Sequence, residues 1–227
     1  MEGAISLLDA AQMLFDRYEQ DYADRIAFFE VEDFARAIAL RYSTVVEQLF
    51  QQTRKENKAE TGFNNVEITP AWCVSEKHKV EHDEDTGYFY VDLDQDIFST
   101  NYDAFVNMLQ SVHSKSVECR KISTQEIKNL DILPPMNVAM FWVEGTNRIV
   151  FANKDPKEVH VKYVPVVNWQ NDTNFLSQSI LGLISDDIIK QFREDRDGVV
   201  IPEANDGNKN AVMQQQVNPA LSKIQQG

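Results

Sequence analysis

The chain has 227 residues, enough for one large domain or two small ones, and its 43% hydrophobic and 26% charged residues are the balance of a folded globular protein. Its 36 acidic against 22 basic residues give a formal net charge of −14, which repels phosphate backbones at long range and argues against sequence-specific nucleic-acid binding. No apolar run approaches the roughly 20 residues of a membrane helix, and the opening MEGAISLLDAAQ lacks the basic start and cleavage site of a signal peptide, so cytosolic synthesis is expected.

Residues 4 to about 22 carry a helical repeat, with Ile5, Leu8, Phe15, Tyr18 and Tyr22 on one face, widened by Leu7, Ala11 and Leu14. Residues 24 to 32 join this helix to a second, which Asp33 is expected to cap and which runs to about Lys58. Phe34, Ile38, Tyr42, Val45 and Leu49 form its predicted buried stripe. The polar stretch 54–65, RKENKAETGFNN, reads as an internal boundary, beyond which the period changes from helix to strand. Extended segments are predicted at 66–69, 72–80 and 86–93, the last two joined as a hairpin by the turn His82-Asp83-Glu84-Asp85-Thr86-Gly87.

Between Asp94 and Ser116, Tyr102, Phe105, Val106 and Leu109 suit a short helix, and 117–122 reads as a weak strand. Ser123 and Glu126 form a capping box for another short helix, which Pro134-Pro135 ends. The clearest pattern runs from Asn137 to Pro165. Strands at 138–143, 148–152 and 158–164 are separated by Glu144-Gly145-Thr146-Asn147 and Asn153-Lys154-Asp155-Pro156, a predicted three-stranded meander. In its third strand Val159, Val161 and Tyr163 alternate with His160 and Lys162. After an uneven loop, Ser185-Asp186-Asp187 is expected to start a late helix that buries Ile188, Ile189 and Phe192 and stops at Gly198. From Val199 onward there are no aromatics and nine Asn or Gln residues, the composition of a segment that does not fold alone. A neighbouring subunit is its expected support.

The sequence therefore predicts an α+β fold: a helical hairpin over 1–60, an antiparallel β-rich region over 61–170, a helical segment over 171–198 and an extended tail over 199–227 that docks on a neighbour. No fixed-period repeat argues for a solenoid or propeller.

Candidate chemistry is sparse. His78 and His82 have the HxxxH spacing that grips a metal from one helix face. In a strand, however, four residues span about 13 Å, too far for one ion. Residues 75–96 hold eight acidic residues against two lysines, without the twelve-residue calcium-loop pattern, which reads as a solvated acidic surface. No GxSxG, SxxK, GxGxxG or phosphate-loop motif occurs, and no cofactor or metal site is predicted. Cys73 and Cys119 sit in no CxxC; free thiols are expected, with a disulfide left open. Tyr88-Phe89-Tyr90 and Phe141-Trp142 lack clustered Arg or Lys, which favours core or subunit contact over base stacking.

The order of parts carries a resemblance. A helical start and a β-rich middle lead to KISTQEIKNLDILPP…AMFWVEGTNRIVFAN at 121–153, the strand VHVKYVP, the helix ISDDIIKQF and an Asn-Asp-Gly-Asn tail at 205–208. This pattern resembles the head-to-tail connector (adaptor or ring) proteins of tailed bacteriophages, particularly short-tailed and crAss-like types. The resemblance implies a non-enzymatic virion protein forming a twelve-membered ring below the portal, in contact with the portal and other tail proteins. Genome DNA would pass its channel without sequence-specific binding, and no membrane would be involved. The residues expected to make subunit contacts are Trp142, Trp169, Asn205, Asp206, Asn208, Gln214, Gln215 and Gln216. Two other classes stay open: a metal-dependent hydrolase using His78, His82 and nearby carboxylates, and a small soluble interaction or chaperone module.

Overall fold

A computed structural model of the chain describes residues 3–20, 28–61, 68–100, 106–127, 137–171 and 174–197. Residues 1–190 form one compact unit and 191–227 a second, of which only 191–197 are described. The fold class is the expected α+β, with N-terminal helices and a late helix around largely antiparallel sheets. The expected tail lies outside the described residues, together with Asn205, Asp206, Asn208, Gln214, Gln215 and Gln216.

The first element is a strand, β1 (Ala4–Ser6), where the sequence suggested helix from residue 4. Helix α1 (Leu7–Glu19) follows, because Ser6 is an effective N-cap: its Oγ accepts from the Asp9 backbone N–H at 3.0 Å and donates to the Asp9 carboxylate at 2.6 Å. Leu7, Ala10, Ala11, Leu14 and Tyr18 are its buried face. Helix α2 (Val31–Thr61) packs on it through Phe34, whose ring lies 5.9 Å from Phe15 and 5.6 Å from Tyr18. Asp33 does not precede α2 as a cap. It sits in the first turn and accepts from the Glu30 N–H at 3.0 Å, reaching backward as a capping-box acid does. The buried stripe follows strict i+4 steps, Phe34, Ile38, Tyr42, Val46 and Phe50, so Val45 and Leu49 are only half-buried. The expected break at 54–65 is overturned over most of its length: residues 54–61 continue the helix, since Arg, Lys, Glu, Asn and Ala offer no breaker before Gly62.

Past a 3-10 turn (Pro70–Trp72), strand β2 (Val74–Lys79) begins; of the strand expected at 66–69, Ile68 and Thr69 belong to no strand, although Thr69 has an extended backbone, and 66–67 lie outside the described residues. The predicted hairpin of 72–80 with 86–93 is corrected at Val80, where the chain changes sheets. Strand β3 (Glu81–His82) pairs with β4 (Phe89–Asp92), whereas β2 pairs with β11 (Glu158–Tyr163). Val80 donates its N–H to Lys157 at 3.0 Å at the crossing. The β3–β4 turn is as read: the Asp83 carboxylate accepts from the Asp85 N–H and the Thr86 hydroxyl, and Gly87 supplies φ +73°.

Strands β5 (Ser99–Thr100) and β6 (Val106–Asn107) form a small ribbon, followed by β7 (Leu109–His113). The expected helix there is overturned at Val106 and Leu109, which are extended, while Tyr102 and Phe105 lie outside the described residues. Strand β8 (Glu118–Lys121) leads to the one-turn helix α3 (Thr124–Ile127). Its capping box is formed as read: Ser123 N–H donates to Glu126 at 2.7 Å, and Glu126 N–H to Ser123 Oγ at 3.3 Å. Strands β9 (Val138–Glu144) and β10 (Arg148–Ala152) make the first hairpin of the predicted meander, turning at Gly145 with φ +64°. The third strand leaves it. Two sheets result, β3-β4-β10-β9-β8 and β2-β11-β7, with β8 parallel to β9. Their inner faces share one core, including Val91, Phe141, Ile149, Phe151, Val159, Val161 and Tyr163.

Strand β12 (Phe175–Ser177) pairs with β1 and runs directly into helix α4 (Gln178–Asp197). The late helix thus starts seven residues before Ser185. Ser185 is buried in its interior, where its hydroxyl donates to the Leu181 carbonyl at 2.5 Å, a common mid-helix use of serine. Asp186 and Asp187 are salt-bridge partners of Arg17 on α1 and Arg41 on α2 instead of first-turn acids. The β1–β12 ribbon and the sheets are joined at Gln95, 4% exposed. Its Nε2 lies 3.0–3.1 Å from Val166 O, Asn174 Oδ1 and Phe175 O, which share its two N–H hydrogens, and its Oε1 accepts from the Phe175 N–H at 2.7 Å.

Replacing Gln95 by leucine strands these buried groups, and the expected loss is about 2–4 kcal/mol of folding stability. Urea unfolding at neutral pH measures it; a loss under about 0.5 kcal/mol would show that the amide is not what holds the ribbon.

Candidate functional site

Two polar constellations stand out on the sheets. The first is buried. On β2 the alternation that puts Val74 inward also puts Glu76 inward, where it is 4% exposed. Its two carboxylate oxygens are separately engaged: Oε1 accepts the Tyr163 hydroxyl at 2.6 Å, and Oε2 meets His78 Nε2 at 2.8 Å. Tyr163 comes from β11 and His78 lies two residues along β2, so the cluster spans one strand pair. The hydrogen bond to Glu76 raises the His78 pKa above its ordinary value, against the opposing effect of burial. Burial, and then the Glu76 charge, push the Tyr163 phenol up. The cluster satisfies a buried charge, and it ties up the imidazole that the metal reading required.

His82 is elsewhere. It is exposed on β3, in the other sheet, with its ring 4.9 Å from Phe89. The HxxxH pair therefore does not converge, and among the described residues no three His, Cys, Asp or Glu side chains are grouped to hold a metal ion. Cys73 and Cys119 are both free thiols. Burial pushes the Cys73 pKa up to about 12 and raises that of Cys119, which disfavours the reactive thiolate in each.

The second constellation is the outer face of the five-stranded sheet. Register places Tyr90, Val150 and Trp142 side by side, with Asp92, Arg148 and Glu144 in the next outward row. Arg148 grips Asp92 with two parallel hydrogen bonds of 2.6 and 2.8 Å, and its guanidinium lies 4.5 Å from the Tyr90 ring centre. That pairing holds the Asp92 carboxyl below the usual range and raises the pKa of Arg148. The Tyr90 hydroxyl donates to Glu81 at 2.7 Å, and Trp142 meets the partly exposed Tyr88 edge-to-face at 5.4 Å. Beside them lies a shallow depression of about 440 Å³, lined by Asp92, Glu144, Gly145, Asn147 and Arg148. The arrangement has a locked arginine and no nucleophile. It offers rigid aromatic area with satisfied charges around it, the residue types that dominate protein contacts.

Of the two expected contact tryptophans, Trp142 belongs to this face. Trp169 does not; it lies in the loop before β12, 37% exposed, with the Arg36 guanidinium 4.3 Å from its ring centre. Sequence reading passed over Glu76 and Gln95. The signal for Glu76 was available, since a carboxylate stands in phase with the buried Val74, but an acidic surrounding run hid it.

The raised pKa of His78 has a defined consequence for stability. Protonated His78 favours the fold, so its contribution is complete below the unfolded value of about 6.5 and disappears as pH rises through the higher folded value. Comparing urea midpoints of the wild type and His78→Gln from pH 5.5 to 9 tests this. The gap between them should narrow as pH rises; a constant gap would remove the linkage.

No protein-family model matches the chain, and no curated protein is similar enough to count as a match.

Proposed function

We propose that this chain is a structural, non-catalytic subunit that assembles with copies of itself into a ring, in the head-to-tail connector of a tailed bacteriophage. The ring would sit below the portal, and the genome would pass through it without sequence-specific contact. One observation carries the assembly part of this reading. The helices expose large apolar side chains on otherwise wet surfaces: Leu40 on α2 is 68% exposed, Leu183 on α4 is 59%, and Leu8 on α1 is 55%. Full burial of each would contribute roughly 1.5–3 kcal/mol, so a neighbouring subunit covering them gains a useful driving force. The outer sheet face, with half-buried Trp142 against Tyr88, itself 36% exposed, adds a smaller apolar area. The order of elements supplies the connector part, and the acidic net charge suits a channel that DNA leaves without adhering. The tail at 199–227 would dock on a neighbour in the ring. The competing hydrolase reading draws no support from His78 and His82, which lie in different sheets.

Fractionating a lysate of the native source by sedimentation, with peptide detection, tests the reading directly. Recovery in a virion-sized fraction at a constant ratio to the portal protein is expected; recovery only as a small free species would overturn it. The apolar surface has its own test in Leu40→Ser combined with Leu183→Ser. Both sites are exposed, so unfolding stability should change by less than about 1 kcal/mol, while self-association should weaken about tenfold or more. Unchanged association would show that this surface is not a contact.

A further inference from the structure

The outer face of the three-stranded sheet has the opposite charge from the rest of the molecule. Strand alternation sends Val74, Glu76 and His78 inward from β2, and Ser75, Lys77 and Lys79 outward. From β11 it sends His160 and Lys162 outward, and register sets them beside Ser111 and His113 of β7. Lys77, Lys79, Lys162 and His113 are exposed. Only Glu158 opposes them on these strands, paired to Lys77 at 2.8 Å. Lys77 first, then His160 and Lys115, hold the Glu158 carboxyl below its usual range. Lys79 and Lys162 make no ion pair among the described residues. A cationic face of this kind is conspicuous on a chain of net charge −14.

The complementary surface is on the same chain. From Glu81 to Asp96 there are seven acidic residues and no Lys or Arg. The β3–β4 turn presents Glu84 and Asp85 as exposed side chains, its shape held by Asp83 and Gly87 rather than by those two carboxylates. We infer that the cationic outer face of β2-β11-β7 is the docking site for the acidic β3–β4 turn of a second copy of this chain. The two surfaces are different, so the contact is head-to-tail, the kind that closes rings when its rotation allows. Nucleic acid is the poorer occupant: the face carries no Phe, Tyr or Trp side chain for stacking, and the net charge opposes a polyanion at long range. This inference rests on the ring reading and names the contact through which its copies join.

The test uses the full-length chain in two charge-reversed forms, Lys79→Glu with Lys162→Glu, and Glu84→Lys with Asp85→Lys. All four side chains are exposed. Association is followed by sedimentation velocity in about 0.05 M and about 0.5 M NaCl. The wild type should associate at low salt and dissociate at high salt, and each variant alone should associate about tenfold or more weakly. Mixing the variants in equal amounts should restore association, because each reversed surface then meets a complementary partner. Variants that associate like the wild type, a mixture that regains nothing, or a wild type monomeric at low salt would each overturn the contact. So would tight binding of a short duplex DNA that the Lys79→Glu/Lys162→Glu form loses. Recovery of the chain in virions alongside unaffected variants would leave the ring reading standing and remove only this contact.

Discussion

One buried amide holds the architecture together. Gln95 leaves the sheet region and satisfies both the N–H and the C=O of Phe175, at the start of β12. It also bonds Asn174, whose own side chain donates to the carbonyls of Asn168 and Asn171 and whose backbone carbonyl accepts the Leu7 N–H at the root of α1. A loop with this many polar groups cannot be buried unless each finds a partner. Because Gln95 and Asn174 provide those partners, the β1–β12 ribbon is fixed against the sheets. Helices α1 and α4 start from its two strands.

Charge sorting on the two sheets follows from the same period-two geometry that builds their shared core. Along β2 and β11 a strict alternation separates Val159, Val161 and Tyr163 from His160 and Lys162. The exception is Glu76, an ionisable group placed on the inner side and made tolerable by Tyr163 and His78. On the five-stranded sheet, alternation produces an outer face that mixes aromatics with a locked Arg148–Asp92 pair. One sheet thus shows a cationic exterior, and the other an aromatic one beside an acidic turn.

What the sequence made legible was local. The capping box at Ser123 and Glu126, the glycine turns at Gly87 and Gly145, and the inward set Val159, Val161 and Tyr163 depend on neighbours within a few residues, and all are present as read. What it hid was set by distant partners. Val80 has no breaker chemistry, yet the chain changes sheets there because β11 and β4 lie on different layers. Ser185-Asp186-Asp187 looks like a helix start, and only Arg17 and Arg41, more than 140 residues earlier in the chain, show why two acids sit in mid-helix. The candidate surfaces were least visible of all. Lys77, Lys79 and Lys162 become one face only through a register that pairs residues some 85 apart.

The ribbon that joins Ala4–Ser6 to Phe175–Ser177 also dictates a timetable. At a synthesis rate of about 5–20 residues per second, the partner of the first strand emerges roughly ten to thirty seconds after it. Throughout that interval α1 and α2 can pair, since their contacts are close in sequence, but the first strand has no ladder and Leu7 no carbonyl for its N–H. A contact spanning 170 residues is the kind that slows folding. The helical hairpin is therefore the part of this molecule that waits, and the arrival of β12 completes it.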